Sequence, residues 1–362
     1  MSKRILILSN HFITLYNFRK ELIVYLVKCG HEVIISLPKA KENIFFSDLG
    51  CKVIETHVDR RGINPIIDLR LIINYIKIMQ KTKPDIIFSY TIKPNIYGAI
   101  ASNITKNAQI CNITGTGSTF MRNNAVSLIA KVMYKISVKK SYKIFFQNIG
   151  DRDLFIKNGM VGDNFCMIPG SGVNLNQYKL CDLPLGDEIN FVFIGRIMKL
   201  KGIDLYLKCA KVIKERYPRT NFYIAGFVEE DKYKEVINYY HAKGVINYIG
   251  FEKNIKSLIQ KCHCTILPSY GGEGVPNVLL ETAAIGRICI ASAVNGSKDV
   301  VEDGVTGYLF ESGNIKELIN KVMNFLELDY ETKKKMGMAG REKVEREFDR
   351  QIVVKAYMAE VK

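Results

Sequence analysis

The stretch SYGGEGVPNVLLETAAIG, Ser269 to Gly286, follows the apolar run CTILP and leads three glycines, a proline and a glutamate into an apolar helix start. A buried strand, a glycine-rich turn and a helix, in that order, form the repeating unit of an open parallel sheet. Gly271, Gly272 and Gly274 let the backbone turn tightly, and Pro276 suits the first helical position, where its missing N–H costs nothing. Ligands of such sheets bind beyond the carboxyl ends of the strands, and the free N–H groups of a helix start there favour an anion such as a phosphate.

The same pattern extends in both directions. NFVFIG, NFYIAG, INYIG, CTILP, ICIAS and GYLF read as buried strands with helices between them. Upstream, RILILS, EVIIS, CKVIETHV, DIIFS, QICNIT, YKIFFQ and FCMIP form an equivalent series, separated by helical segments such as NFRKELIVYLVKCG, whose Gly30 is a natural C-cap. The chain is therefore expected to be α/β, with two doubly wound Rossmann-like domains, residues 1–175 and 176–345. Residues 346–362, within EREFDRQIVVKAYMAEVK, are expected to form a terminal helix that packs back on the first domain.

At 362 residues, with 48% hydrophobic and 24% charged residues, the chain has ordinary globular composition for two cores. No run approaches the roughly 18 to 20 apolar residues of a membrane span, and ILILSN lacks the form of a signal peptide. A cytoplasmic location is the expectation. Of nine cysteines, only Cys262 and Cys264 lie close together, flanking His263 in a strand, where neighbours point to opposite faces and no second ligand pair stands nearby. They read as reduced, buried thiols.

Charge is unevenly spread. Residues 1–180 hold 25 Lys+Arg against 11 Asp+Glu, whereas the remainder hold 27 against 25. A basic half points to an anionic partner, whether nucleic acid, a membrane face or a phosphorylated substrate. In the second half, Arg196 leaves the end of NFVFIG and Lys201 stands five residues on, placing two cations near the glycine-rich helix start. Together these groups can hold a diphosphate without a metal. Glu281 can accept hydrogen bonds from a vicinal diol such as ribose, and Glu273 can reach hydroxyls beyond the diphosphate.

Gly195, Arg196, Lys201 and Gly202, then EGVPNVLLE, then VEDGVTGYLF, resemble glycosyltransferase family 4, the retaining transferases of GT-B fold, across the second half of the chain. The resemblance implies two domains facing a cleft, with a nucleotide sugar bound by the second. It assigns Arg196 and Lys201 to the donor diphosphate and the departing nucleotide, Glu281 to ribose and Glu273 to donor-sugar hydroxyls. Gly195, Gly274, Val275, Pro276 and Asn277 complete the cradle, and Phe251 in YIGFEKN lies along the nucleobase. Arg196, Lys201 and Glu273 are the expected catalytic set. Glu273 positions the sugar and does not attack it, so the Glu273 and Glu281 pair is not the acid/base pair of a glycosidase. No cofactor or metal is expected, the nucleotide sugar being a substrate.

The first half resembles the family more loosely. TLYNFRKELI and SYTIKPNIYG resemble bacterial surface-polysaccharide enzymes, including those that add N-acetylhexosamines, whose acceptors hang from undecaprenyl diphosphate. The corresponding acceptor contacts are Tyr16, Asn17, Arg19, Lys93 and Asn95, with Thr116 and Ser118 of the GTGS turn. Tyr90 stands where many family members have a histidine, and Ser171 and Asn174 depart from the usual hinge sequence. The implied activity is retaining, metal-independent hexosyl transfer, with UDP as the habitual carrier, in capsule, O-antigen or related glycan synthesis.

Two other functions are distinguishable. A sugar-nucleotide epimerase of the same fold turns over its donor with no acceptor. A glycan phosphorylase needs a pyridoxal-phosphate lysine motif that the sequence lacks. Nucleic-acid binding is not expected, since the basic half shows no RNP, KH or helix-turn-helix signature. Instead MRNNAVSLIAKVMYKISVKKSYK, Met121 to Lys143, carries six cations and no acid. As a helix it sets Lys131, Lys135 and Lys139 in one row beside Leu128, Val132 and Ile136, an arrangement suited to an anionic membrane surface. Peripheral attachment to the inner face of the plasma membrane is the resulting expectation.

Overall fold

The computed structural model of the chain describes residues 1–60, 62, 64–117 and 125–361. It divides into two compact units, Met1–Ser171 with Arg350–Lys362, and Gly172–Asp349. The chain leaves the first unit after Ser171 and rejoins it at Arg350, close to the boundaries of 175/176 and 345/346 read from the sequence.

In the first unit, β1 (Arg4–Leu8), β2 (Glu32–Leu37), β3 (Lys52–Glu55), β4 (Ile86–Tyr90), β5 (Gln109–Ile113), β6 (Lys143–Phe146) and β7 (Phe165–Met167) form one sheet in the order β3-β2-β1-β4-β5-β6-β7. In the second, β8 (Ile189–Ile194), β9 (Thr220–Ala225), β10 (Asn247–Gly250), β11 (Cys264–Leu267), β12 (Ile288–Ser292) and β13 (Gly307–Phe310) follow the order β10-β9-β8-β11-β12-β13. Every pairing within these sheets is parallel. Each of the apolar runs picked out in the sequence is one of these strands. Strand order reverses between β1 and β4 and between β8 and β11, which makes those two strand-end crevices the places to look for ligands.

Parallel strands must be covered on both faces, and the sequence supplies the cover as amphipathic helices. One face of the first sheet packs against the Pro65–Thr82, Ile92–Thr105 and Ala125–Ser137 helices through Leu71, Tyr75, Ile96, Ala99 and Tyr134. The other face packs against Phe12–Lys28 through Leu15, Leu22 and Leu26, and against the terminal Arg350–Glu360 helix through Val353, Val354 and Tyr357. Side-chain caps fix several helix starts. Asn64 accepts from the N–H of Ile66, with Pro65 at the first helical position, and His11 accepts from the N–H of Ile13 through Nδ1.

Candidate active site

The richest constellation lies at the β8/β11 reversal of the second unit. After β8 the chain passes Gly195 and Arg196, makes the short 3-10 turn Lys199–Lys201, and enters the Ile203–Arg216 helix at Gly202. Gly202 has φ +73°, and a Cβ there would stand 1.9 Å from the carbonyl oxygen of Pro268. Only glycine allows that approach, and it brings the Lys201 turn against the loop leaving β11. The N–H of Tyr270 donates to Leu200 O at 2.9 Å, and the Tyr270 hydroxyl donates to Asp204 at 3.0 Å. Burial, then the Asp204 carboxylate, pushes the Tyr270 phenol up to about 12, so it remains a donor at neutral pH.

Within this frame Lys201 and Glu273 form an ion pair, both mostly buried, and the Ser269 hydroxyl donates to the same Glu273 oxygen at 3.0 Å. Arg196, 47% exposed, reaches Glu229 at 3.4 Å, whose carboxylate is 11% exposed. The cradle residues Gly274, Val275 and Pro276 lead into the Asn277–Ala284 helix, with Glu281 half-buried inside it. Pro276 is not the first helical residue, as the sequence reading had it. It is the N-cap, with ψ 112°, because the incoming loop passes Gly296, where a Cβ would lie 1.6 Å from Gly274 O and 3.3 Å from Pro276 Cδ. The helix starts one residue later.

Phe251 follows β10 and is 63% exposed. Sequence reasoning missed its neighbour. Phe227 follows β9 and is 46% exposed, and the N–H of Gly226 donates to Gly250 O at 2.7 Å, which ties the two aromatic-bearing strand ends together. Glu229, the partner of Arg196, lies in the same missed turn. The signal was available, because the doubly wound order sets β9 beside β8 and makes the residues after NFYIAG part of the same crevice.

At the β1/β4 reversal of the first unit, the expected acceptor contacts divide. Tyr16 and Asn17 are exposed on the Phe12–Lys28 helix, with Tyr16 stacked on Phe12 at 5.3 Å. Arg19 is redirected. It is 2% exposed, its guanidinium lies over the rings of Tyr90 and Tyr357 at 4.9 and 5.9 Å, and Nη1 donates to Phe18 O. A cation so enclosed supports the packing of its helix and cannot meet a ligand in this arrangement. The same contacts account for Tyr90, the residue in the histidine's place. It is fully buried against Arg19 and belongs to the core.

Asn95 is likewise redirected. It is 1% exposed, its Oδ1 accepts from Ser89 and its Nδ2 donates to Asn112 O, so the amide is consumed in holding β4 and β5 to their helix. Lys93 pairs with Asp68 at 2.6 Å, and Tyr97 donates to the other oxygen of that carboxylate. Thr116 is buried and donates to Asp151 at 3.2 Å. Ser118 and residues 121–124 of the basic stretch lie outside the described residues. Lys135 and Lys139 are exposed and Lys131 is half-buried.

His263 is a structural pillar. Burial holds its imidazole down at about 4, Nδ1 accepts from the N–H of Asn190, and Nε2 donates to Pro184 O. Among the described residues no group of three or more His, Cys, Asp or Glu side chains could hold a metal ion.

With this geometry in view, comparison with known proteins decides the family. Residues 183–343 match the family described as glycosyl transferases group 1, and residues 4–148 match glycosyl transferase 4-like. The chain belongs to these glycosyltransferases. The transferase is 25% identical over 341 residues, covering 90% of it and 89% of the relative, to the Campylobacter jejuni N,N'-diacetylbacillosaminyl-diphospho-undecaprenol alpha-1,3-N-acetylgalactosaminyltransferase. It is 25% identical over 279 residues, 73% of it and 72% of the relative, to the Escherichia coli UDP-Gal:alpha-D-GlcNAc-diphosphoundecaprenol alpha-1,3-galactosyltransferase. Its fold is that of a Rickettsia africae glycosyltransferase, with TM-score 0.82, 18% identity and 99% and 97% of the two chains covered. It also matches Anabaena HepE, solved in complex with UDP and glucose, with TM-score 0.81, 17% identity and 99% of each chain covered. The transferase therefore has the GT-B fold, and among its described residues no helix is long and apolar enough to cross a membrane.

Proposed function

We propose that this glycosyltransferase moves a hexose or N-acetylhexosamine from a UDP-sugar to a saccharide carried on undecaprenyl diphosphate, with retention of anomeric configuration, during synthesis of a capsule, O-antigen or related glycan. The single observation that carries the donor half is the convergence of Arg196, Lys201 and the start of the Asn277–Ala284 helix at one strand-end reversal. As the glycosidic bond loosens, negative charge collects on the leaving diphosphate, and preorganised cations and N–H groups stabilise it where it forms. Glu273, held by Lys201 and Ser269, fixes sugar hydroxyls in this reading. Glu281 takes the ribose diol, and Phe251 and Phe227 flank the base.

The relatives' lipid-diphosphate acceptors support the acceptor half, and the basic first half of the chain is in keeping with work at an anionic membrane face. Peripheral attachment at the cytoplasmic leaflet follows from this reading. The two cations and the helix terminus answer the diphosphate charge, so no divalent ion is needed.

The test is transfer from a panel of nucleotide sugars to a synthetic short-chain lipid diphosphate saccharide, with and without excess chelator, and assignment of the product anomer by NMR. Thermal shift identifies the donor first, since a ligand at 100 times its Kd adds about 2.7 kcal/mol to the stability of the state that binds it. Donor turnover that needs no acceptor overturns the proposal in favour of epimerisation. Loss of turnover in chelator, restored by magnesium or manganese, overturns metal independence.

A further inference from the structure

The first unit presents two ordered rows of exposed apolar side chains. On the Pro65–Thr82 helix, Leu71, Tyr75 and Ile78 face the core, while Ile66, Leu69 and Ile73, at i, i+3 and i+7, are 63%, 57% and 42% exposed. On the Ala125–Ser137 helix, Leu128, Val132 and Ile136, at i, i+4 and i+8, are 65%, 47% and 64% exposed. Single exposed apolar residues are normal on a soluble protein, but aligned rows on neighbouring helices call for a partner.

The rows face the same way. The Ile92–Thr105 helix packs against both helices, and the inner sides of all three share one core on one face of the first sheet. Their outer sides therefore look away from that face together. Each helix connects parallel strands, so each runs from the carboxyl-end edge of the sheet towards the other edge. Ile66, Leu69 and Leu128 consequently stand near the strand-end edge that carries the β1/β4 reversal.

Charge selects the occupant. From residue 86 to 150 the chain has eight Lys or Arg and no Asp or Glu. The Pro65–Thr82 helix adds exposed Arg70, Lys77 and Lys81, and its one acid, Asp68, is bound to Lys93 and Tyr97. Protein interfaces are depleted in lysine and pair opposite charges, and a second copy of this face would repel the first. An anionic bilayer attracts lysines at its headgroups and accepts apolar rows at the acyl boundary.

We infer that the Pro65–Thr82 and Ala125–Ser137 helices together form a two-helix footprint that lies flat in an anionic lipid leaflet. The inference rests on the lipid-linked acceptor proposed above and adds a second helix, with its own apolar row, to the docking surface. The footprint sets the strand-end edge of the first sheet at the depth where a lipid diphosphate emerges from the hydrocarbon.

Flotation of the full chain with phosphatidylglycerol–phosphatidylcholine vesicles, against phosphatidylcholine alone, tests it. The parent should bind only the anionic vesicles and release in high salt. Ile66→Ser/Leu69→Ser/Ile73→Ser and, separately, Lys131→Glu/Lys135→Glu/Lys139→Glu should each weaken binding by at least about tenfold. Both variants should keep the parent's melting temperature and its transfer rate to a water-soluble short-chain acceptor, which separates failed docking from failed catalysis. If the serine variant floats like the parent, the Pro65–Thr82 helix is not in the footprint and the inference fails. Equal binding to neutral vesicles overturns the charge argument. A dimer in sedimentation velocity that only the serine variant loses, with vesicle binding unchanged, makes the row a subunit contact and also overturns the inference. Should the parent fail on the soluble acceptor, the proposed reaction falls whatever the vesicles show.

Discussion

The two strand-end reversals of this transferase use charge in opposite ways. At β8/β11 the two cations each meet a carboxylate, Arg196 with Glu229 and Lys201 with Glu273, so these pairs add nothing to the net charge of a nearly neutral half. At β1/β4, in the half that carries almost all the excess positive charge, Arg19 is sealed under two tyrosines and Lys93 is bound to Asp68. The excess instead lies on helix exteriors. Net charge thus marks a surface, whereas the cations of the proposed donor site are paired in the resting protein and have to be found by geometry.

The largest effects should come from breaking the balanced site. Arg196→Ala and Lys201→Ala should each lose about 2 kcal/mol or more of transition-state stabilisation, read as kcat/KM for the donor, with folding intact by circular dichroism. A variant that transfers sugar at close to the parent rate would place the diphosphate elsewhere. The equivalent loss from Arg19→Ala should appear in melting temperature instead, because that cation supports packing. If Arg19→Ala leaves stability unchanged and abolishes acceptor use, the contrast between the two reversals breaks.

A smaller effect separates the base from the diphosphate. Phe227→Ala and Phe251→Ala should each weaken UDP binding by about 1 kcal/mol in isothermal titration while leaving kcat nearly unchanged, since stacking acts on ground state and transition state alike. Equal affinity in both variants would remove the aromatic pair from the donor site.

The smallest effect lies at the first reversal. Burial, then the positive charge of Arg60, holds His11 below its ordinary pKa of 6.5, and the neutral Nδ1 caps the Phe12–Lys28 helix. A depressed histidine pKa means that the folded state favours the neutral form. The stabilisation is complete above the unfolded pKa and is lost as pH falls through the lower folded value. His11→Asn retains a cap without titrating, so the stability of the parent relative to this variant should decline as the solution is acidified. Parallel curves in denaturant melts at neutral and acidic pH would show that the cap does not titrate.

All the strands were legible because parallel strands buried on both faces read as continuous apolar runs, and the glycine turns between them are dictated by close backbone approach, as at Gly202. The Lys201 and Glu273 contact was implied by position alone, each following a neighbouring strand of the reversal. Arg19 and Asn95 were not legible. Their side chains are polar and follow strand ends, yet whether such a group points to solvent or is consumed inside depends on partners distant in sequence, Tyr357 for Arg19 and Asn112 for Asn95. Phe227 was passed over although the strand order sets the end of β9 beside that of β8, and its exposure is what brings it to notice.

The Arg350–Glu360 helix belongs to the first unit although its residues follow the whole second unit in the chain. Tyr357 lies against Phe88, Tyr90 and Phe145 and donates to Asn112, Arg350 pairs with Glu21 at 2.7 Å, and Lys143 pairs with Glu360 at 2.5 Å. During synthesis the nascent first sheet must therefore wait, with Arg19 and part of one apolar face uncovered, until the whole second unit and then this helix have been translated. At elongation rates of about 5 to 20 residues per second, that interval lasts on the order of ten seconds or more. The order of the chain thus closes the basic half only after the second unit is made, so completion of the first core is coupled to synthesis of the second.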